Sequence, residues 1–304
     1  MDDLNNEKLM AIKKQIEDND ADKTCLTSWR KIEESGLQGE KIFKTNFKLY
    51  LDKYYHNYEL SDISNIIKNY SNKENYCIQD EIKLNYSDIK KILKNNVKLI
   101  KTEYEKQGYK IKFFSLKQNG RMIVGLGNSD IKETTMTFHH TYGLPYIPGQ
   151  AIKGMLRSYI ISKYYDCDEK EVLNNEEFIK IFGVENESFS KKGSEGEVVF
   201  FDAFPDVENV NIKKDIMSVH YKKYYNLEKK NDELSPPSDD EQPSLISFLT
   251  VEDAYFKFLI GYKNEYGYKI RGKDIDIEET LKGALIEFGI GAKTNVGYGY
   301  FQNS

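Results

Sequence analysis

Cysteine, histidine and tryptophan are scarce in this chain of 304 residues, and the first two scarcities exclude particular chemistries. The three cysteines, Cys25, Cys77 and Cys167, stand far apart with no CxxC pair. Neither a disulfide framework nor a zinc site is expected from them, and isolated reduced thiols are the reading. Four histidines, His56, His139, His140 and His220, leave few candidates for general acid–base work. No run of 18 or more apolar residues occurs, so no spanning helix is expected. The opening MDDLNNEKLM is acidic and polar and lacks the basic-then-apolar order of a secretory signal, so a cytoplasmic chain is expected. Asp202 lies inside an apolar run with no Asp/Glu/His cluster at ligand spacing nearby, and no metal or other cofactor is expected.

What is present suits a globular protein. Hydrophobic residues make up 39% and charged residues 31%, enough apolar mass for a core. The formal net charge of −5 argues against a surface that coats nucleic acid everywhere, but a local basic groove remains open. Residues 101–160 carry nine basic side chains against four acidic ones, a local excess of +5. The acidic excess sits at the N-terminus and near position 235.

Residues 1–105 read as mostly helical, and they carry no nameable chemistry. Ser87–Lys106 is the clearest helix, with Ser87 placed to cap it and Ile89, Ile92, Leu93, Val97 and Ile100 at helical spacing beside a stripe of lysines. The pattern changes near Gly108, and residues 106–304 read as a second domain. Tyr109–Leu116 and Arg121–Leu126 are β-type runs with a turn at Gln118-Asn119-Gly120. A helix is predicted from about Ala151 to Tyr165, a buried strand over Glu197–Phe204, and a mobile acidic loop at about 228–243. Strands Leu245–Val251 and Tyr255–Tyr262, a helix Ile277–Phe288 and a final strand Gly297–Phe301 complete the set. From Arg121 the order strand, helix, strand, strand, helix, strand is that of an α+β, ferredoxin-like (RRM-like) fold with insertions, preceded by a helical N-terminal region.

Two stretches stand out chemically. In LPYIPGQAIKGMLR (144–157), Pro148 and Gly149 open a helix whose first amides lack intrahelical partners and suit an anion. Lys153 and Arg157, four residues apart, share a face, and Gly154 removes bulk between them. An ordinary amphipathic helix with solvated basic residues explains the same pattern. In GIGAKTNVGYGYF (289–301), four glycines, Gly289, Gly291, Gly297 and Gly299, surround Lys293, Thr294 and Asn295, with Tyr298 beside them. Such amides can form anion-binding nests, though simple turn chemistry also fits. The loop follows a helix and precedes a strand, and its glycine spacing is not GxxxxGK[ST], so nucleotide hydrolysis is excluded. Tyr142, Tyr146 and Tyr298 flank the two stretches and are candidates for stacking on bases.

Gly125-Leu126-Gly127, YGLPYIPGQAIKGMLR (142–157), FFDAFP (200–205), VHYKKYYN (219–226) and FGIGAKTNVGYGYF (288–301) together resemble the RAMP superfamily of CRISPR proteins. The combination is most similar to its sixth-subunit branch in the Cmr (type III-B) effector complex. The resemblance covers roughly residues 110–302 and implies a ferredoxin-like RAMP fold. It further implies a non-catalytic subunit holding crRNA near the guide's 3′ end, with target RNA and other Cmr subunits as partners and no membrane. Gly149, Lys153, Gly154, Arg157 and the Gly289–Gly299 loop, with Gly291, Lys293, Thr294, Asn295, Gly297 and Tyr298, are the residues it aims at RNA. A metal-independent endoribonuclease is the alternative, with His139, His140 and His220 as its only bases in this region. Adjacent histidines on a strand at Phe138–Thr141 would point to opposite faces. A protein-only spacer is the third possibility.

Overall fold

The structure, a computed structural model, describes residues 42–43, 81–127, 136–184, 193–219, 244–263 and 267–303. The chain divides into the units Met1–Ile42 and Phe43–Ser304, and every element named below belongs to the second. The predicted acidic loop at 228–243 lies outside the described residues, as do His220, Cys25 and Cys77.

The elements run β1 (Glu81–Asn85), α1 (Ser87–Lys106), β2 (Lys110–Asn119), β3 (Arg121–Met122) and α2 (Gly149–Tyr165). Then follow α3 (Glu169–Val172), α4 (Glu176–Phe182), the two-residue strands β4 (Gly183–Val184) and β5 (Ser194–Glu195), β6 (Val198–Phe200) and β7 (Phe204–Pro205). Two long strands, β8 (Asn209–Val219) and β9 (Ser244–Glu252), precede β10 (Tyr255–Tyr262). A short hairpin, β11 (Tyr268–Ile270) and β12 (Lys273–Ile275), leads to α5 (Ile277–Glu287) and the closing β13 (Tyr300–Gln302).

One sheet has the order β13-β2-β10-β6, antiparallel throughout. With α2 between β2 and β6 and α5 between β10 and β13, this is the ferredoxin-like 4-1-3-2 arrangement. The fold class expected from sequence is found, but its first strand is β2, not the run beginning at Arg121. Gly120, at φ +76°, turns the chain within one residue. Arg121–Met122 thereby joins β9 in a second sheet, where β1, β8, β9 and β3 lie side by side. Gln118 ties the sheets together: its Nε2 donates to the Val251 carbonyl at 2.6 Å and its backbone N–H to Ala254 at 2.9 Å.

Alternation along β2 explains which face carries the core. Phe114, Leu116 and Gln118 are buried, and their side chains share the face covered by the helices, where Phe114 stacks on Phe258 of β10. Helix α2 presents Ile152, Leu156, Tyr159 and Ile160 to this core at 2% exposure or less, four of the five residues that helical spacing puts on one face, and the fifth, Met155, is half-buried against it. Burying each such side chain contributes about 1.5–3 kcal/mol. Helix α5 adds Leu281, Ala284 and Leu285, and Asp276 caps it by accepting from the Glu279 N–H at 3.1 Å.

Three local expectations are revised. Tyr86, not Ser87, is the cap position of α1, and no side chain caps that helix; Asn85 Oδ1 instead accepts from the Ser87 N–H at 3.3 Å. The run Glu197–Phe204 is two short strands: the Phe201 N–H still donates to the Leu259 carbonyl at 3.2 Å, and Asp202 between the strands turns its carboxylate to the start of α2. Phe138–Thr141 is a bridge and turn: Phe138 bridges Pro145, and the Gly143 N–H donates to the His139 carbonyl at 2.7 Å.

Candidate nucleic-acid interface

The start of α2 follows Pro148, whose backbone is extended and whose carbonyl accepts from the Ala151 N–H at 2.9 Å. Glycine is required at 149 by space: a Cβ there would lie 2.2 Å from the Phe200 carbonyl oxygen. The Gly149 N–H is already taken by Asp202 Oδ1 at 2.8 Å, so a carboxylate from a neighbouring segment caps this helix start. One turn further out, Lys153 and Arg157 border a cleft of about 800 Å³ walled by Phe178, Phe182 and the β4–β5 hairpin. Gly154 is exposed, and a Cβ on it would meet nothing within 4 Å, so the helix surface beside Lys153 is open to a ligand. Among the described residues Arg157 pairs only with the exposed Glu169, at 3.4 Å, a contact of little strength that a phosphate would displace. Lys153 has no ion pair among the described residues.

The second stretch is tightly braced. The Ile290 N–H donates to Gly299, Ala292 to Ile123, and Gly299 to Arg121, at 2.8–2.9 Å each. Cβ atoms at Gly291 and Gly299 would sit 2.3 Å from the Ile123 oxygen and 2.0 Å from the Ile290 oxygen. These glycines, with Gly289 at φ +70° and buried, serve close backbone approach rather than an open nest. Asn295, Val296 and Gly297 form the exposed tip, and Lys293, at φ 61°, lays its ammonium 5.3 Å from the Phe248 ring centre. Thr294 opens the short 3₁₀ turn behind them, its carbonyl accepting from the Gly297 N–H.

Tyr298 anchors this loop from below. Its hydroxyl donates to Asp215, which also receives Arg121 Nη1 at 2.6 Å; Arg121 Nε reaches Glu252 at 3.2 Å, and Lys213 pairs with Glu252 as well. Burial and the bond to Asp215 push the Tyr298 hydroxyl up to about 12. Burial alone would raise Asp215, but the Tyr298 hydroxyl, the Ile216 amide and Arg121 outweigh it and hold the carboxyl below its ordinary range. Glu252 is likewise lowered, with Lys213 and Arg121 outweighing burial. This five-residue network joins the loop to the second sheet and was not foreseen, since its members come from β3, β8, β9 and the final loop.

The two stretches do not form one pocket. Phe200, against which Gly149 packs, and Lys112 both pair with Ile260, whereas Tyr300, next to Gly299, pairs with Asn119. Seven residues along β2 separate those levels, about 23 Å, and the strands concerned are the two edges of the sheet. Of the flanking tyrosines, Tyr142 stacks on His139 at 4.4 Å and Tyr146 on Phe204 at 5.7 Å. His139 is half-buried there, its Nδ1 accepts from the Tyr142 N–H at 3.3 Å, and burial lowers its pKa. His140 is exposed. Among the described residues no group of three or more His, Cys, Asp or Glu is placed to hold a metal, and no helix is long and apolar enough to cross a membrane.

Comparison with known proteins places this architecture. The RAMP superfamily profile matches residues 119–302. The chain is 34% identical over 233 residues to the CRISPR system Cmr subunit Cmr6 of Pyrococcus furiosus, covering 60% of this chain and 65% of that protein. It is 29% identical over 234 residues to the CRISPR system CMR subunit Cmr6 of Saccharolobus solfataricus, covering 75% and 68%. A chain in the cryo-EM structure of the Type III-B Cmr-beta bound to cognate target RNA superposes with a TM-score of 0.50 and 26% identity, over 72% of this chain and 66% of that one. The chain thus spans just under two thirds of the Pyrococcus relative and of the superposed chain.

Proposed function

This chain belongs to the RAMP superfamily, and from that premise we propose that it is a non-catalytic, crRNA-binding backbone subunit of a type III-B CRISPR (Cmr) effector, seated near the guide's 3′ end. In this reading residues 106–304 are the RAMP domain and residues 1–105 an appended, mostly helical region. Its partners are crRNA, target RNA and the neighbouring Cmr subunits, and it acts in the cytoplasm. The relatives carrying the name Cmr6 support the assembly, and that name indicates no catalytic activity.

One observation carries the RNA contact: Lys153 and Arg157 share a helix face at the mouth of a cleft, beside the exposed Gly154, with no strong carboxylate partner for either among the described residues. Two such cations suit phosphates of any sequence, whose binding weakens as salt rises. The exposed tip of the glycine loop, at Asn295 and Gly297 with Lys293 and Thr294 behind, offers a separate backbone contact on the far edge of the sheet. Two contacts on opposite edges of the sheet, at strand levels about 23 Å apart, suit a strand that runs across the subunit better than a ligand held at one point.

The test is RNA binding by the full chain across a salt series. Lys153→Ala with Arg157→Ala is expected to weaken binding and to lower the salt slope by about 1.4, at roughly 0.7 per phosphate contact on a single strand. No RNA affinity, alone or in the assembled particle, would leave the spacer reading. RNA cleavage by the purified chain, abolished by His140→Ala, would replace this proposal with the nuclease.

A further inference from the structure

Helix α1 lies over the face of the ferredoxin-like sheet opposite α2 and α5, yet it buries none of its residues. Its two ends explain how it stays there. At the start, the buried Tyr86 donates its hydroxyl to the Gly143 carbonyl at 2.7 Å, and its N–H donates to Glu208. At the end, Tyr104 packs edge-on against Phe201 and Tyr109, with ring centres 5.0 and 5.3 Å apart. Between these pins the apolar stripe Leu93, Val97 and Ile100 is only half-buried, over a groove of about 740 Å³. A helix made only to cover the sheet would close that space, because a half-buried stripe forgoes much of its burial free energy.

The groove's lining has one chemistry. Lys90, Lys94, Lys98 and Lys101, at spacings of four, four and three, form one edge of α1 and place a cation about every 6 Å. Lys257 stands on the sheet side, so that with Lys91 six lysines and two aspartates, Asp202 and Asp206, line the groove, and Lys91 and Lys101 pair with Asp88 at 3.1 Å and Glu105 at 3.7 Å on the helix itself. Asp206 is occupied by Lys90 at 3.6 Å and Lys257 at 3.8 Å, and Lys94 and Lys98 have no acidic partner among the described residues. On the floor, Phe113 of β2 is 52% exposed, with the Lys257 ammonium 5.2 Å from its ring centre. The stacked pair His139 and Tyr142 closes one side, and the Tyr142 hydroxyl accepts from Asn96 of α1 at 3.1 Å.

An exposed aromatic on the first strand of an RRM-like sheet, inside a lysine-edged groove, is a platform for an unstacked base whose flanking phosphates meet the lysines. We infer that the groove between α1 and the open face of the sheet binds a single-stranded segment of the guide RNA, with a base stacked on Phe113 and the backbone along Lys94 and Lys98. Charge complementarity selects the occupant: Lys94 and Lys98 have no acidic partner among the described residues, and a polyanion supplies one where a basic peptide or an apolar helix would not. The inference rests on the guide-holding reading but uses none of the residues that carry it: α2 and the glycine loop lie elsewhere on the molecule.

The full chain is titrated with single-stranded RNA over a salt series, and the assembled particle is photocrosslinked with 4-thiouridine placed in either the guide or the target strand. Phe113→Ala is expected to weaken binding about fivefold or more, and Phe113→Trp to keep it, because both aromatics stack. Lys94→Ala with Lys98→Ala, both exposed and harmless to folding, is expected to lower the salt slope by about 1.4. Guide crosslinks are expected on α1 or on Phe113. Wild-type affinity and slope in these variants, beside weakened binding in Lys153→Ala with Arg157→Ala, would overturn the groove and leave the guide-holding reading intact. Absence of RNA binding by every variant and by the wild type, alone and in the particle, would overturn both. Crosslinks to the target strand only, or a protein partner protecting the groove, would overturn the assigned occupant.

Discussion

Gly297 and Gly299 are two residues apart, both left-handed at φ +95° and +77°, and they make a matched pair for substitution by alanine. At Gly297 a Cβ would meet nothing within 4 Å, so Gly297→Ala carries only the penalty of a left-handed L-residue, about 1–2 kcal/mol. At Gly299 the new Cβ would lie 2.0 Å from the Ile290 carbonyl oxygen, and backbone on backbone cannot yield by a rotamer change. The strand start must move, and the two bonds that hold it, Gly299 N–H to Arg121 and Ile290 N–H to Gly299, lengthen or break. At about 1 kcal/mol each, these bring Gly299→Ala to about 3–4 kcal/mol. Urea unfolding of the full chain reads the difference as a shift in midpoint at constant slope, with Gly299→Ala displaced roughly twice as far as Gly297→Ala. Equal displacements would show that Ile290 gives way without cost, and would refute the claim that this glycine exists for close approach. Gly297→Ala serves a second purpose: it perturbs the exposed tip with little loss of fold, so weakened RNA binding in it would point to the tip itself.

Other outcomes follow from the same geometry. Asp202→Ala removes the cap on the Gly149 N–H and is expected to cost about 1 kcal/mol in thermal or urea unfolding. Because it also removes a carboxylate beside a helix start, RNA binding at low salt is expected to tighten. The pH dependence of stability has a definite sign: Asp215 and Glu252 have folded pKa values below their unfolded ones, so their contribution is complete above the ordinary carboxylate value near 4. It is lost as pH falls through the depressed values, and Asp215→Asn should shallow that acid limb of an unfolding series. Leu156→Ala, at a fully buried position of α2, is expected to cost about 2–5 kcal/mol, with RNA affinity of the folded fraction unchanged.

Local order was legible in the residues. The periodic stripe of α2, the helix α5, the strand β10 and the break at Gly120 are each written within a few neighbouring positions, because backbone preference and burial act over that range. From them came the ferredoxin-like order, and the lysine and arginine at 153 and 157 were found beside an open Gly154 at a cleft. Non-local contacts decided the rest. That β2 and not the Arg121 run is the first strand depended on pairing with β10, 140 or so residues later in the chain. The glycines at 149, 291 and 299 looked like free amides, whereas carbonyls of Phe200, Ile123 and Ile290 fill the space a side chain would need. The lysines of α1 read only as a stripe beside its apolar positions; what they border is decided by the pinning of the helix at Tyr86 and Tyr104 above Phe113. Sequence spacing records which side chains share a face; what that face meets is chosen by the packing of distant segments, and only the assembled fold holds that information.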